Sequence, residues 1–170
     1  MDWTLDIPLA ISRGQFDYRP PSDSTSIASN FLGPQRLVEP GISLTDLPVI
    51  DIVIISHNHY DHLDRKTVSA LVEQQPANPP LFLVPLGLKD WFADIGINEN
   101  VIELDWWQSH RVGDWQLNAV PVQHWSRRGL FDTNKTLWAG WVIEAPEQKM
   151  FFAGDTGYSC LLYTSPSPRD

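Results

Sequence analysis

The chain has 170 residues, of which 42% are apolar and eight are Trp, enough for about one domain with a packed core. A formal net charge of −9 argues against nucleic acid as a partner, because such proteins usually present a basic face to phosphates. No stretch approaches the roughly 18 to 20 consecutive apolar residues that span a bilayer, no basic-then-apolar leader opens the chain, and the single Cys160 forbids an internal disulfide, so a soluble, unexported, cytoplasmic protein is expected.

In chain order, residues 12–29 have little apolar periodicity and read as a loop of a length uncommon inside compact domains. Val49–Ser56, VIDIVIIS, is near-continuously apolar and β-branched, which suits a strand buried on both faces. Asp64 can cap a helix over about Arg65–Gln75, whose Val68, Leu71 and Val72 share one face. After the Pro79–Pro80 break, Leu81–Val84 reads as a strand, Leu86–Asp94 as a short helix closed by Gly96, and Val101–Leu104 as another strand. Three β-rich segments follow, Gln116–Gln123, Leu137–Ile143 and Met150–Ala153, separated by turn residues. Helices therefore alternate with strands early, and strands dominate late.

His57, His59, Asp61 and His62 place four metal-ligand side chains within six residues, directly after the first buried strand. Residues two apart on an extended backbone point the same way, so His57 and His59 can grip one ion while the turning chain sends Asp61 and His62 to another. Imidazole and carboxylate without thiolate suit zinc in a site left open to water. One such histidine would be an ordinary loop residue; four ligands in one turn are a metal motif.

Two later residues gain meaning from that cluster. His124 ends the strand Leu117–Gln123, and Asp155 ends Met150–Gly154, flanked by Gly154 and Gly157. Alone they would read as a half-buried histidine and a turn aspartate. His110 reads as a solvent-facing strand or loop residue, and the tryptophans Trp91, Trp106, Trp107, Trp125, Trp138 and Trp141 as packing, with Trp125 also placed to wall a pocket.

The run SHNHYDH after an apolar strand, a later isolated His at a strand end and then GDTG together resemble the metallo-β-lactamase-fold hydrolases. VPLGLKDWF, VIELDWWQ, QHWSRRG with FDTNKTLWAGW, and FFAGDTGY are similar to one branch, the N-acylphosphatidylethanolamine phospholipases D and their bacterial relatives. The resemblance covers about Asn30–Tyr158 and implies an α/β fold, the αβ/βα sandwich, of which roughly the N-terminal half is expected here. It implies His57, His59 and His124 as ligands of one zinc, Asp61 and His62 as ligands of a second, and Asp155 between both. The family's last ligand, in a later His-Trp-Gly segment, has no counterpart, so this chain by itself is expected to be an inactive fragment.

The resemblance further implies two Zn2+ in the intact site, an activated water oriented by Asp61, and hydrolysis of a phospholipid phosphodiester at a membrane surface. For such a substrate Arg127 and Arg128 would meet either phosphate or only solvent, and Leu130 and Phe131 would either contact acyl chains or simply pack, packing being the default. A lactonase, a nuclease or a non-catalytic zinc-binding fragment would use the same ligands and stays open. Domain boundaries are expected at 1–29, 30–159 and 160–170. Cys160–Asp170, CLLYTSPSPRD, resembles the translation of a sequencing-library adapter. Codons for Phe16–Ser29, read one nucleotide later, can spell the Thr-Asp-Pro-His and Arg-Ala-Ser-Pro segments of the family, so residues 1–29 are expected to be frameshifted or foreign to it.

Overall fold

The protein's structure, a computed structural model, describes residues 9–11 and 44–159. The segments 12–29 and 160–170, set apart on sequence grounds, lie outside them. Strand β1 (Leu9–Ile11) is followed by a 3-10 turn at Leu44–Asp46, then β2 (Ile52–Ile54), α1 (Arg65–Gln74), β3 (Leu81–Pro85), α2 (Lys89–Asp94) and β4 (Val101–Leu104). The later part is all strand: β5 (Ser109–Val112), β6 (Trp115–Val120), β7 (Gly140–Ala145) and β8 (Gln148–Phe152).

The eight strands form two sheets, ordered β1-β2-β3-β4 and β5-β6-β7-β8. In the first, β2, β3 and β4 run parallel, as two strand–helix–strand crossovers require, and β1 adds antiparallel to the free edge of β2. The second is an antiparallel meander. Strand β1 has no counterpart in the sequence reading, because three consecutive apolar residues are too few to show a period.

The alternation of side chains along a strand sorts the apolar residues into two cores. Val53, Ile55, Phe82 and Val84 pack with Val68 and Leu71 of α1 and Leu88 and Phe92 around α2. Ile52, Ile54 and Leu83 face the other way, against Leu117, Ala119, Trp141 and Ile143 of the second sheet. Among the described residues the layers are thus helices, sheet, sheet, an α/β arrangement that forms part of the expected αβ/βα sandwich. Strand β2 is buried on both faces, which explains its continuous hydrophobicity, and each such side chain contributes roughly 1.5–3 kcal/mol of burial.

Local chemistry sets the element ends. The Asp64 carboxylate accepts from the Thr67 N–H and from the Thr67 hydroxyl, both at 2.8 Å, and starts α1. Helix α2 begins only at Lys89, because the preceding residues turn through Gly87 at φ +90°, while Gly96 at φ +88° closes it. Strand β7 begins at Gly140 rather than Leu137. The Leu137 and Ala139 amides donate instead to Leu86 O and Ser56 O, at 2.8 Å each, which ties this stretch to loops of the first sheet.

Candidate metal centre

Chain order does not put His124 and Asp155 beside the His57–His62 loop; the docking of the two sheets does. The loop leaves β2 at the edge facing the second sheet, where the Ala139 N–H donates to Ser56 O and the Trp141 indole N–H donates to Ile55 O at 2.9 Å. His124 follows β6, and Asp155 follows β8. An isolated bridge between Gln123 and Gly157 joins these two segments, with the Gly157 N–H on Gln123 O at 2.8 Å and the Gln123 N–H on the Thr156 hydroxyl at 3.1 Å.

Gly154 makes the close approach possible. Its φ is +59°, and a Cβ there would lie 2.5 Å from Ser56 Cβ and 2.9 Å from Ser56 Oγ. No side chain fits, so Asp155 comes up against the ligand loop only because the residue before it is glycine.

Three imidazole nitrogens converge. His57 Nε2 stands 2.8 Å from His59 Nδ1, and His124 Nε2 stands 3.1 Å from the first and 3.3 Å from the second. Ser56 Oγ lies 3.0 Å from His57 Nδ1, so a proton on Nδ1 can donate to the hydroxyl and leave the Nε2 lone pair facing inward. Beside this triangle, His62 Nε2 lies 3.2 Å from Asp155 Oδ2 and 3.4 Å from Asp61 Oδ2. Asp155 Oδ2 is also 3.7 Å from His124 Nε2, which places one carboxylate between the two groups.

The electrostatics divide the same way. Burial, reinforced by His62, His59 and His124, pushes His57 down to about 2. His59 and His124 are also lowered, with burial the largest cause in each. All three are neutral near pH 7 and offer lone pairs. Burial also opposes charge on His62, yet hydrogen bonds and charge from Asp155 and Asp61 outweigh it and raise His62 to about 9. The hydrogen bond from His62 holds Asp155 at about 2. Asp61 is lowered as well, although burial opposes it, because of His62.

These residues fit a divalent ion. Nitrogens bound at roughly 2.0–2.1 Å around a tetrahedral ion stand about 3.3 Å apart, close to the spacings of the triangle, whereas three neutral imidazoles have too few inward protons to satisfy three mutual contacts. One ligand atom from each of His57, His59, His124 and Asp155 lies within 4.8 Å of all the others. His59 Nε2 and His62 Nδ1, on the outer side of their rings, are buried without a hydrogen-bond partner among the described residues. No described protein group outside the cluster therefore fixes those two rings by a hydrogen bond.

Residues 21–160 match the Beta-lactamase superfamily domain. The chain belongs to this family. It is 46% identical over 132 residues to an uncharacterized protein of Mycobacterium tuberculosis, covering 77% of this chain and 34% of that one. It is 37% identical over 143 residues to the mitochondrial N-acyl-phosphatidylethanolamine-hydrolyzing phospholipase D of Saccharomyces cerevisiae, covering 81% of this chain and 30% of that one. The corresponding figures for N-acyl-phosphatidylethanolamine-hydrolyzing phospholipase D 1 of Caenorhabditis elegans are 38% over 148 residues, 81% and 40%. The chain thus spans about a third of the length of the curated relatives it matches. Among solved structures, CmlA, a diiron β-hydroxylase from Streptomyces venezuelae, superposes with a TM-score of 0.54 at 25% identity over 72% of this chain and 24% of CmlA. Metal-dependent catalysis in this fold therefore includes an iron enzyme as well as hydrolases.

Within this family fold, the sequence-predicted residues His57, His59, Asp61, His62, His124 and Asp155 are brought together from the loops that follow β2, β6 and β8, where the two sheets meet. His110 lies away from them on β5, opposite Leu117. The indoles of Trp106, Trp138 and Trp141 donate to Trp138 O, Val122 O and Ile55 O, as packed tryptophans do. Trp125 is 44% exposed, with its ring 4.5 Å from that of His59, and it lines an open groove of about 460 Å³ with Tyr60, Arg127, Arg128, Gly129 and Leu130.

Three sequence expectations change. Leu130 and Phe131 are 78% and 86% exposed, so neither packs in a core, and Trp107, expected to pack, is 56% exposed at a turn with φ +71°. Arg128 does not extend into open solvent: it is half-buried and turns inward onto the ligand loop, at the wall of that groove. Ser56, Asn58 and Gly154 were not singled out from sequence. Their roles depend on contacts between segments far apart in the chain, and the Ser and Asn next to the histidines were the only local signal.

Proposed function

We propose that this chain carries the ligand-bearing part of a divalent-metal-dependent phosphodiester hydrolase that acts on N-acylphosphatidylethanolamine-type phospholipids, with zinc as the metal. The observation that carries the reading is the triangle of neutral imidazoles, His57, His59 and His124, adjoining the His62, Asp61 and Asp155 group. His57, His59 and His124 would hold one ion, Asp61 and His62 a second, and Asp155 both. Such ions, when bound, lower the pKa of a water and polarise a phosphoryl oxygen.

The protein's own groups supply the rest. Asp61, half-exposed and ionised at neutral pH, accepts a hydrogen bond from the attacking water and orients it. Trp125 and Tyr60 offer apolar walls along the groove beside His59. In the overall reaction the water oxygen bonds to phosphorus, the bond from phosphorus to the ethanolamine oxygen breaks, and a water proton passes to that oxygen. The products are an N-acylethanolamine and phosphatidic acid. The two phospholipases D among the relatives support this substrate class, and a membrane surface is the matching workplace. Among the described residues no helix is long and apolar enough to cross a membrane.

The test uses the complete protein encoded by the gene. Metal analysis should return two zinc per chain, and hydrolysis should be measured on an N-acylphosphatidylethanolamine, a lactone and RNA. Turnover of the lipid alone supports the proposal. Turnover only of the lactone or RNA, or two bound irons with oxygen-dependent hydroxylation, would replace it with another chemistry of the same fold.

A further inference from the structure

The ligand loop is held by a second loop that contributes no ligand of its own beyond His124. Arg128 reaches across from the segment after His124, and its Nη1 donates to Asn58 O at 3.0 Å and to Leu63 O at 2.7 Å. These two carbonyls bracket His59, Asp61 and His62. Between them the His62 and Leu63 amides both donate to His59 O, at 3.1 and 2.9 Å, so the loop is a tight turn whose ends the guanidinium joins. The neighbouring Arg127 N–H donates to Asn58 Oδ1 at 2.8 Å, so both the side chain and the carbonyl of Asn58 are engaged from one side.

The guanidinium is itself confined. It lies 4.2 Å from the Tyr60 ring centroid and 5.1 Å from that of Trp91, and the Arg128 and Gly129 amides are anchored on the Asp132 carboxylate at 2.7–3.1 Å. No carboxylate forms an ion pair with it among the described residues. A cation sheltered by two aromatic rings and satisfied by carbonyls stabilises a fold less efficiently than apolar packing would. Nη1 bonds both carbonyls while the guanidinium plane lies against the rings, and a lysine ammonium, shorter and without a plane to stack, does not reproduce that combination.

We propose that Arg128 is a positioning residue that sets the spacing of His59, Asp61 and His62 by bracing the two ends of their turn. This rests on the metal-site reading only for its consequence. The brace itself is a property of the metal-free chain, and the two can fail separately.

The experiment compares the 170-residue chain with Arg128→Gln and Arg128→Lys, using amide hydrogen exchange of the metal-free proteins and Co2+ titration followed by visible absorption. In Arg128→Gln, exchange at His62 and Leu63 should rise about 10-fold while β3 and β7 amides stay as protected as in the parent. Co2+ affinity should fall about 10- to 100-fold, with a changed absorption envelope, and Arg128→Lys should restore neither fully. Parent-like exchange at His62 and Leu63 in Arg128→Gln would overturn the proposal, as would a uniform loss of protection that reaches β3 and β7. If Arg128→Gln does not fold, Arg128→Lys decides by the same readouts. Selective loosening of the turn in a parent that binds no Co2+ would uphold the brace and defeat the metal reading instead.

Discussion

His62 Nε2 and Asp155 Oδ2 stand 3.2 Å apart although 93 residues separate them in sequence, and this pair joins the ligand loop of the first sheet to the end of β8 in the second. Removing the carboxylate should uncouple them. In Asp155→Asn we expect zinc affinity to fall by more than about 100-fold, beyond the loss typical of an outer partner, and the proposed lipid hydrolysis by the complete enzyme to disappear. Metal-competition titration measures the first; retained affinity would remove Asp155 from the ligand set.

The same pair gives the metal-free chain a defined pH response. His62 is raised to about 9 from the ordinary 6.5, so its contribution to stability is complete below 6.5 and is lost as pH climbs through 9. Asp155 is depressed to about 2 from 3.8, so its contribution is present above 3.8 and disappears as pH falls through 2. His57, also depressed to about 2, costs stability progressively below 6.5, because the unfolded chain takes up a proton that the folded one refuses. Stability of the metal-free chain should therefore peak near pH 6.5. Zinc uptake at pH 7 should also expel the proton of His62, releasing about one proton per chain. Calorimetry in buffers of different ionisation enthalpy reads that release, and an NMR titration placing His62 at 6.5 would contradict both expectations.

Gly154→Ala places a methyl group 2.5 Å from Ser56 Cβ at a φ of +59°. The strained backbone and the clash should together cost about 1–3 kcal/mol or more and displace Asp155, so zinc affinity should fall along with the urea midpoint. An unchanged midpoint would show that Ser56 can yield.

Asp64→Ala provides a separate handle on the scaffold. Losing two 2.8 Å bonds at the start of α1 should lower stability by about 1–2 kcal/mol. Both bonds are made at the helix start, and Asp64 reaches Arg128 only through its charge, so Co2+ spectra of the folded fraction should stay as in the parent. An altered spectrum would mean that α1 helps shape the ligand turn.

Leu130→Ser with Phe131→Ser touches two exposed side chains and should change stability by less than about 0.5 kcal/mol. If the groove meets lipid, the complete enzyme carrying this double change should show a raised KM on vesicles and an unchanged kcat. Equal kinetics on vesicles would remove these residues from substrate contact.

The sequence was most legible where physics is local. The double-sided burial of β2, the Asp64 cap and the strand at Leu81–Val84 all follow from neighbouring residues. The density of His57, His59, Asp61 and His62 made the metal motif readable for the same reason, and His124 and Asp155 could be added by their strand-end positions. Contacts made across the sheets were not legible. The start of β7 at Gly140 depends on Ser56 and Leu86 capturing the preceding amides, and the inward turn of Arg128 depends on Asn58 and Leu63. Nothing in the local pattern around Leu130 and Phe131 separated a solvent-facing tip from a core residue.

The two sheets are made from consecutive stretches of chain, and the cluster of six side chains straddles the seam between them. An ion bound there would act as a rivet, so that prying the sheets apart would require breaking coordination bonds as well as exposing Ile54, Leu83 and Trp141. Loading the chain with metal should consequently raise the temperature at which the sheets part, and chelation should reverse that gain.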